Sequence, residues 1–500
     1  MKKNEQQTPY EEAINYLKTS PMFNLSLSSK ELFHSNFLYW IWKLDSMAFK
    51  CLIAKLLNVS TDDLKWGDSK DWEVVREYKS FDLCVKHCDR TEDVDGKTKI
   101  VSGDVLLLLE NKVKSIPYKA QLKKYVDKVE KLYGKRRYEE AKKVQYILLT
   151  LPTHFPDAPE GIDSEDCNWE VENGYKWKVI TYNKYIEKIK SLIDAFTEIS
   201  DSFNLKEEDK CYVTKIIDDY IKFVEHLLVI YNEWTDKCYD KLGFIYYDKL
   251  KQQCSEYKGY ITDAQNLRIH DLYHKSKYAR ICADIISKFS GVLKDYDTYK
   301  VGINLTEKEV CKSLENDTGK GGYIVWEYNY THGEPLVGVK IARRDKDGNL
   351  ITYIIQAQSG VYEHGVIADH TKLKGEYKGT KDKKLWEYIR NKRNDKIFSV
   401  GDYPWLRYED FADDATKDSK SLSNPEKVLY SDNIFVMDCL YPQCKKQKDT
   451  LPYAKYASDN SNTAMIYQFR KLKFEVNTKD LIEYIIKDVK KLLEGLDKQQ

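Results

Sequence analysis

The sequence predicts an α/β (α+β) protein: a mixed sheet flanked by helices, with a helical insertion and a strand-rich C-terminal extension. Three observations predict it. Val74–Val85 (VVREYKSFDLCV) and Val105–Val113 (VLLLLENKV) read as strands. Lys119–Tyr133 places Leu122, Val126, Val129 and Tyr133 in one apolar stripe at helical spacing. Beyond residue 300 the pattern turns to strand-like runs separated by turn residues.

The two early strands set the first expectation. Between them lies KHCDRTEDVDGKTK, residues 86–99, a polar stretch with the turn dipeptide Asp95-Gly96. The segments therefore read as an antiparallel hairpin with a long charged loop. Side chains alternate along a strand, so Glu110 and Lys112 project together and Asn111 projects oppositely. Charges are rarely buried without partners, yet this pair emerges from a run of valine and leucine. Asp82 on the neighbouring strand would add a second carboxylate. Two carboxylates beside an ammonium group suit a hard divalent cation and metal-assisted phosphodiester hydrolysis. Glu77, five residues from Asp82, projects to the other face by strand parity. The alternative is a surface ion pair on an edge strand, and strand composition alone leaves it open.

The helix 119–133 follows a lead-in containing Pro117. Gln121, Tyr125 and Lys128 flank its apolar stripe and so point toward the strand end. From Lys112 to Gln145 there are twelve Lys/Arg against four Asp/Glu, while the whole chain carries only +1. Lys123, Lys124, Tyr125 and Lys128 are the candidate nucleic-acid contacts, because a local basic run attracts a phosphate backbone. A solvated helix face is the competing reading.

These residues together resemble the PD-(D/E)XK nuclease superfamily, in the branch with an N-terminal E-x-x-H-S helix, a D…ENK core and a Q-L-x-x-Y helix. The matching residues are Glu31, His34 and Ser35 in ELFHSNFLYW; Asp82 in FDLCV; Glu110, Asn111 and Lys112 in LLENKV; and Gln121, Leu122 and Tyr125 in QLKKY. Segments 144–152 and 177–189 are similar to the later core strands and helix of that branch. The resemblance covers roughly residues 25–190 and implies a restriction-endonuclease-like core over 1–190; periodicity and strand patterning then mark a helical region at 191–300 and an α+β region at 301–500 that ends in a helix. It implies that Asp82 and Glu110 hold Mg²⁺ or Mn²⁺ with the Asn111 backbone carbonyl. It gives Lys112 a role at the attacking water or the phosphorus centre, and Gln121 a positioning role. Glu31 has two readings: a metal-shell residue acting through water, or the N3 member of a capping box with Ser28. Phe81 stands where the superfamily's name motif has proline.

Composition bounds the rest. Hydrophobic content is 42% over 500 residues, ordinary for a globular chain. The N-terminus lacks the apolar core of a signal peptide, and no run reaches the length of a membrane span. The eleven cysteines read as reduced thiols of a cytoplasmic protein. Cys84 and Cys88 with His87, and Cys439 with Cys444, lack the tight spacing of most zinc ribbons. Helical periodicity dominates 211–234 and 264–289. Strands are expected at 322–330, 336–345 and 350–358, with a turn at 347–349, and around 434–441 and 465–476. The stretch 407–433 reads as a loop or insertion, and 478–494 as a helix. GKGG at 319–322 lacks the spacing of a phosphate loop.

The favoured function is a metal-dependent endonuclease acting on DNA, and the resemblance adds a role in antiviral defence against foreign DNA. Its partners would be nucleic acid, with a homodimer or a partner defence protein. Two alternatives stand beside it: a ribonuclease on the same fold, and a non-catalytic nucleic-acid-binding protein. The presence of Asp82, Glu110 and Lys112 together counts against the last.

Overall fold

The computed structural model describes residues 7–26, 30–94, 97–198 (apart from 114, 135–136, 152–153, 160–161 and 163–166), 207–237, 239, 258–369 (apart from 294–295, 306–308, 311–312, 315–320, 332–333, 345–349 and 359–360), 454–457, 463–471 and 478–497. These residues form two compact units. One comprises 1–236 and 262–276, and the other 237–261 and 277–500. The helical stretch expected at 191–300 is divided between them.

The first unit is built on a mixed six-stranded sheet. Its strands are β1 (Trp72–Tyr78), β2 (Phe81–His87), β5 (Val105–Lys112), β6 (Gln145–Thr150), β8 (Lys176–Thr181) and β7 (Cys167–Glu170), in that spatial order. β1, β2 and β5 pair antiparallel; β5, β6 and β8 are parallel; β7 closes the far edge antiparallel to β8. The central strands read as unbroken apolar runs because both faces are covered. Leu107, Leu109, Ile147, Leu148, Leu149 and Ile180 are buried.

Helix α5 (Lys119–Tyr133) is the crossover between parallel strands β5 and β6. It packs through Leu122, Tyr125, Val126 and Val129, the expected stripe with Tyr125 added. Tyr133 sits at its C-terminal end, half-buried, and donates from its hydroxyl to the Val105 carbonyl at 2.6 Å. Helix α3 (Lys30–Leu44) packs against β1, β2 and β5, and α7 (Tyr182–Glu198) against β6 and β8. Helix α8 (Glu207–Lys237) docks on α3 through Tyr220, whose ring stacks on Phe37 with centroids 3.6 Å apart.

Four sequence expectations need correction. Residues 74–85 are two strands, β1 and β2, joined by Lys79-Ser80. Both turn residues are left-handed, with φ of 52° and 71°, the pattern of a two-residue hairpin turn. Neither is Asn or Gly, so the usual turn signal is missing. Only β2 pairs with β5. The parity argument for Glu77 fails for the same reason, since the chain reverses between Glu77 and Asp82. Glu77 itself is left-handed (φ 53°) and exposed. The charged loop contains a hairpin of its own, β3 (Arg90–Val94) with β4 (Lys97–Val101). The dipeptide Asp95-Gly96 lies outside the described residues. The helix expected at 264–289 is two, Lys258–Asn266 and His270–Leu293, separated at Arg268, which is left-handed (φ 55°).

The second unit carries a seven-stranded sheet. Its meander is β10 (Gly322–Thr331), β11 (Glu334–Arg344), β12 (Leu350–Gln358) and β13 (Val361–Asp369), with β9 (Tyr299–Ile303) parallel to β10 at one edge. At the other end lie β15 (Thr463–Lys471) and β14 (Ala454–Ala457). Helix Thr478–Asp497 packs on β12 and buries Leu481, Ile485 and Leu492. Arg343 donates to its Leu496 carbonyl at 3.1 Å. The expected features at 347–349, 407–433 and 434–441 lie outside the described residues.

Left-handed backbone costs roughly 1–2 kcal/mol for a residue with a Cβ. Replacing Lys79→Asn together with Ser80→Gly should therefore stabilise the first unit by about 1 kcal/mol. The expected readout is a higher melting temperature by circular dichroism; an unchanged or lower one would count against the turn geometry.

Candidate active site

The ladder between β2 and β5 pairs Cys84 with Leu108 and ends at Leu83 with Leu109. Beyond that point a side chain takes over. Asp82 Oδ2 accepts from the Asn111 backbone N–H at 2.7 Å. The carboxylate is thereby fixed against the last turn of β5, where Glu110, Asn111 and Lys112 are all buried.

Alternation along β5 then sends its side chains to different neighbours. On the α5 side, Glu110 Oε1 accepts from Lys112 Nζ at 2.7 Å and from the Tyr125 hydroxyl at 2.8 Å. Gln121 Nε2 donates to the same Tyr125 hydroxyl at 3.1 Å, so Gln121 reaches the carboxylate through tyrosine. On the α3–α7 side, Asn111 meets Ser35 and Tyr182. Glu31 Oε1 accepts from the Ser115 backbone N–H at 2.8 Å and from its hydroxyl at 2.5 Å. Ser28, the other member of the expected capping box, lies outside the described residues.

The electrostatics follow from this crowding. Burial and the neighbouring Glu110 push the Asp82 carboxyl up to about 7, against the opposing pull of the Asn111 N–H and Lys112. Burial alone would favour a neutral Lys112, but Glu110, Glu31 and Asp82 outweigh it and hold the ammonium charged. Burial and Glu110 also raise the Tyr125 phenol, so it stays a hydrogen-bond donor.

The donor set fits a hard cation. Protein donors occupy one oxygen of each carboxylate, Asp82 Oδ2 and Glu110 Oε1. Among the described residues none is hydrogen-bonded to Asp82 Oδ1 or Glu110 Oε2. No group of three His, Cys, Asp or Glu side chains forms a ready metal cage among the described residues. Two carboxylates with a backbone carbonyl leave coordination positions for water and phosphate, the usual circumstance of Mg²⁺.

The expected nucleic-acid contacts divide. Lys123 is paired with Asp127 at 2.9 Å and Glu172 at 3.4 Å. Lys124 is exposed. Lys128 donates to the Lys79 carbonyl at 3.3 Å, and its ammonium lies 5.3 Å from the Tyr125 ring centroid and 5.5 Å from that of Phe81. Tyr125 is buried, with its hydroxyl engaged on Glu110. In the helical stretch 264–289, Lys277 is buried and the Arg280 guanidinium lies over the Tyr239 ring at 3.9 Å. Cys84 is buried and Cys88 exposed; their thiols contact the Val85 and Lys70 carbonyls respectively. Cys439 and Cys444 lie outside the described residues.

Sequence reasoning missed Ser115 and Tyr182. Ser115 is a lone polar residue after a strand, and Tyr182 lies 71 positions from Asn111. Neither carries a local signal. Tyr220, which lies in the stretch 211–234 expected to be helical, bonds His34 Nδ1 at 2.6 Å.

The model of a known family, the PD-(D/E)XK nuclease superfamily, matches residues 22–222. The matched span takes in α3, the six-stranded sheet, α7 and Tyr220. The sheet and its flanking helices agree with the restriction-endonuclease-like fold expected from the sequence. Nucleases of this superfamily generally use divalent metal ions. No curated protein matches the chain.

A raised carboxyl pKa makes the metal-free fold bind its proton more tightly than the unfolded chain does. Its stabilising contribution is therefore fully present below the ordinary Asp value, about 3.9, and is lost as pH rises toward about 7. Asp82→Asn should remove that loss. In EDTA, the variant's melting temperature relative to wild type should rise between pH 4 and pH 8. A constant difference would show that Asp82 ionises without cost.

Proposed function

We propose that this chain, whose residues 22–222 belong to the PD-(D/E)XK nuclease superfamily, is a Mg²⁺- or Mn²⁺-dependent endonuclease that hydrolyses DNA phosphodiester bonds. One observation carries the reading: the partly buried Asp82 and the buried Glu110 come together at the start of β2 and the end of β5, each held by one oxygen, with no hydrogen bond to the other oxygen among the described residues. A purely structural pair would gain nothing from a place where burial and the neighbouring Glu110 together make Asp82 resist ionisation.

Asp82 Oδ1, Glu110 Oε2 and the Asn111 carbonyl would hold the ion. Bound there, a divalent cation supplies Lewis-acid polarisation of the phosphate and lowers the pKa of water. Asn111 N–H and Tyr125 orient the two carboxylates. Gln121 fixes Tyr125. Lys112, kept charged by Glu110, supports negative charge that develops on the phosphorus centre. Glu31 tunes that charge from the start of α3 and is anchored by Ser115.

Lys123, Lys124 and Lys128 are the candidates for the phosphate backbone, and Lys123 also forms ion pairs with Asp127 and Glu172. The restriction- and repair-type resemblance favours DNA over RNA and a setting in defence against foreign DNA. A cytoplasmic location belongs to the same proposal. It is supported by six free thiols among the described residues. No described helix is long and apolar enough to cross a membrane.

The purified protein should cleave DNA with Mg²⁺ or Mn²⁺ and fall silent in EDTA; a panel of single- and double-stranded DNA and RNA decides the substrate. Asp82→Ala and Glu110→Ala should abolish cleavage without unfolding. Lys112→Ala should keep metal binding and lose turnover. Cleavage that persists in EDTA rules the mechanism out.

Neutralising Lys123, Lys124 and Lys128 together should weaken binding to all sequences alike and make its salt dependence shallower, since fewer counterions are released. Lys123→Gln alone should do little. Unchanged affinity and salt slope in the triple variant would favour a solvated helix face.

A further inference from the structure

We infer that Ser35 and Tyr182 are positioning residues of the carboxylate site, acting through the side chain of Asn111. This inference rests on the reading of Asp82 and Glu110 as the metal-holding pair. Asn111 Nδ2 donates to Ser35 Oγ at 2.5 Å, and Asn111 Oδ1 accepts from the Tyr182 hydroxyl at 3.2 Å. All three residues are closed to solvent: Ser35 and Asn111 are 0% exposed and Tyr182 1%.

An amide in such a place is costly unless its donor and acceptor are both engaged. Leucine, which fills 106–109 of the same strand, would pack there without that requirement. What the amide adds is direction. Its two bonds run to different helices, Ser35 on α3 and Tyr182 at the start of α7, so the plane of the side chain is set from both ends.

Asn111 is also the residue whose backbone N–H fixes Asp82 Oδ2, and its peptide neighbours are Glu110 and Lys112. A rotation of this one residue would shift the Asp82 acceptor, the Glu110 carboxylate, the Lys112 ammonium and the Asn111 carbonyl together. The clamp therefore sets the spacing of the donor atoms rather than supplying one.

Helix α3 is itself held in rotation by the residue beside Ser35. His34 Nδ1 meets the Tyr220 hydroxyl at 2.6 Å, and its ring stands edge-on to Tyr182 at 4.9 Å. Ser35 thus reaches Asn111 from a fixed position, with α8 as the outer support.

The test is Mn²⁺ binding by isothermal titration calorimetry on the full chain without nucleic acid, for wild type, Ser35→Ala, Tyr182→Phe, Asn111→Ala and Asp82→Ala. Melting curves run in parallel. Loss of an outer partner of a metal site costs about 10–100-fold in affinity. Ser35→Ala and Asn111→Ala should show a loss of that order, with cleavage regained when Mn²⁺ is raised in proportion. Tyr182→Phe should show a smaller loss, since it removes the longer bond. Ser35→Ala and Tyr182→Phe each delete one oxygen and carry the test if Asn111→Ala does not fold. Wild-type Mn²⁺ affinity in both, with Asp82→Ala unable to bind, would overturn the inference and leave the network as a fold contact. Wild-type affinity in Asp82→Ala would instead overturn the metal-site reading beneath it.

Discussion

Two carboxylates withdrawn from water repel each other, and much of the first unit is the means of holding the partly buried Asp82 and the buried Glu110 together. The cost is visible in Asp82, whose carboxyl is driven up to about 7 by burial and by Glu110. The compensation is local and specific. Asn111 gives Asp82 a backbone N–H, while Lys112 and Tyr125 give Glu110 an ammonium and a hydroxyl. Each donor holds one oxygen, and among the described residues none is hydrogen-bonded to its partner oxygen. A cation held by the two carboxylates would offset the repulsion between them.

Strand geometry makes this arrangement possible. The β2–β5 ladder stops just before the site, so Asp82 can use its side chain where a backbone acceptor would otherwise serve. The two-residue period of β5 then divides the labour. Glu110 and Lys112 meet α5, and Asn111 meets α3 and α7. Helices distant in sequence thus converge on three consecutive residues of one strand. The hydrogen bond from α8 to α3, Tyr220 to His34, extends that support to the end of the matched span, 22–222.

Much of this was legible in the sequence because the signals are local. The Glu110-x-Lys112 pair follows from strand alternation, and α5 from four apolar residues at helical spacing. The meander of the second unit was readable from its own alternating runs. What was not legible depends on contacts between distant residues or on backbone conformation without a residue signature. The Lys79-Ser80 turn is left-handed without Gly or Asn, so two strands read as one, and single-strand parity does not relate Glu77 to Asp82. The break at Arg268 is hidden in the same way. Tyr125 looked like a substrate-facing residue on the flank of a stripe. Its burial and its bond to Glu110 depend on the distance between α5 and β5, which spacing along the helix does not give. Ser35 stands out in the sequence only as part of the E-x-x-H-S motif and Tyr182 not at all; their places at the two ends of the Asn111 amide come from the fold.

The most direct measurement is an anomalous diffraction map from crystals of the protein grown or soaked with Mn²⁺. The account predicts a peak within coordination distance of Asp82 Oδ1, Glu110 Oε2 and the Asn111 carbonyl. Such a peak should be absent from Asp82→Ala crystals treated alike. Mn²⁺ bound elsewhere with the Asp82–Glu110 site empty, or an unchanged peak in the variant, would contradict it.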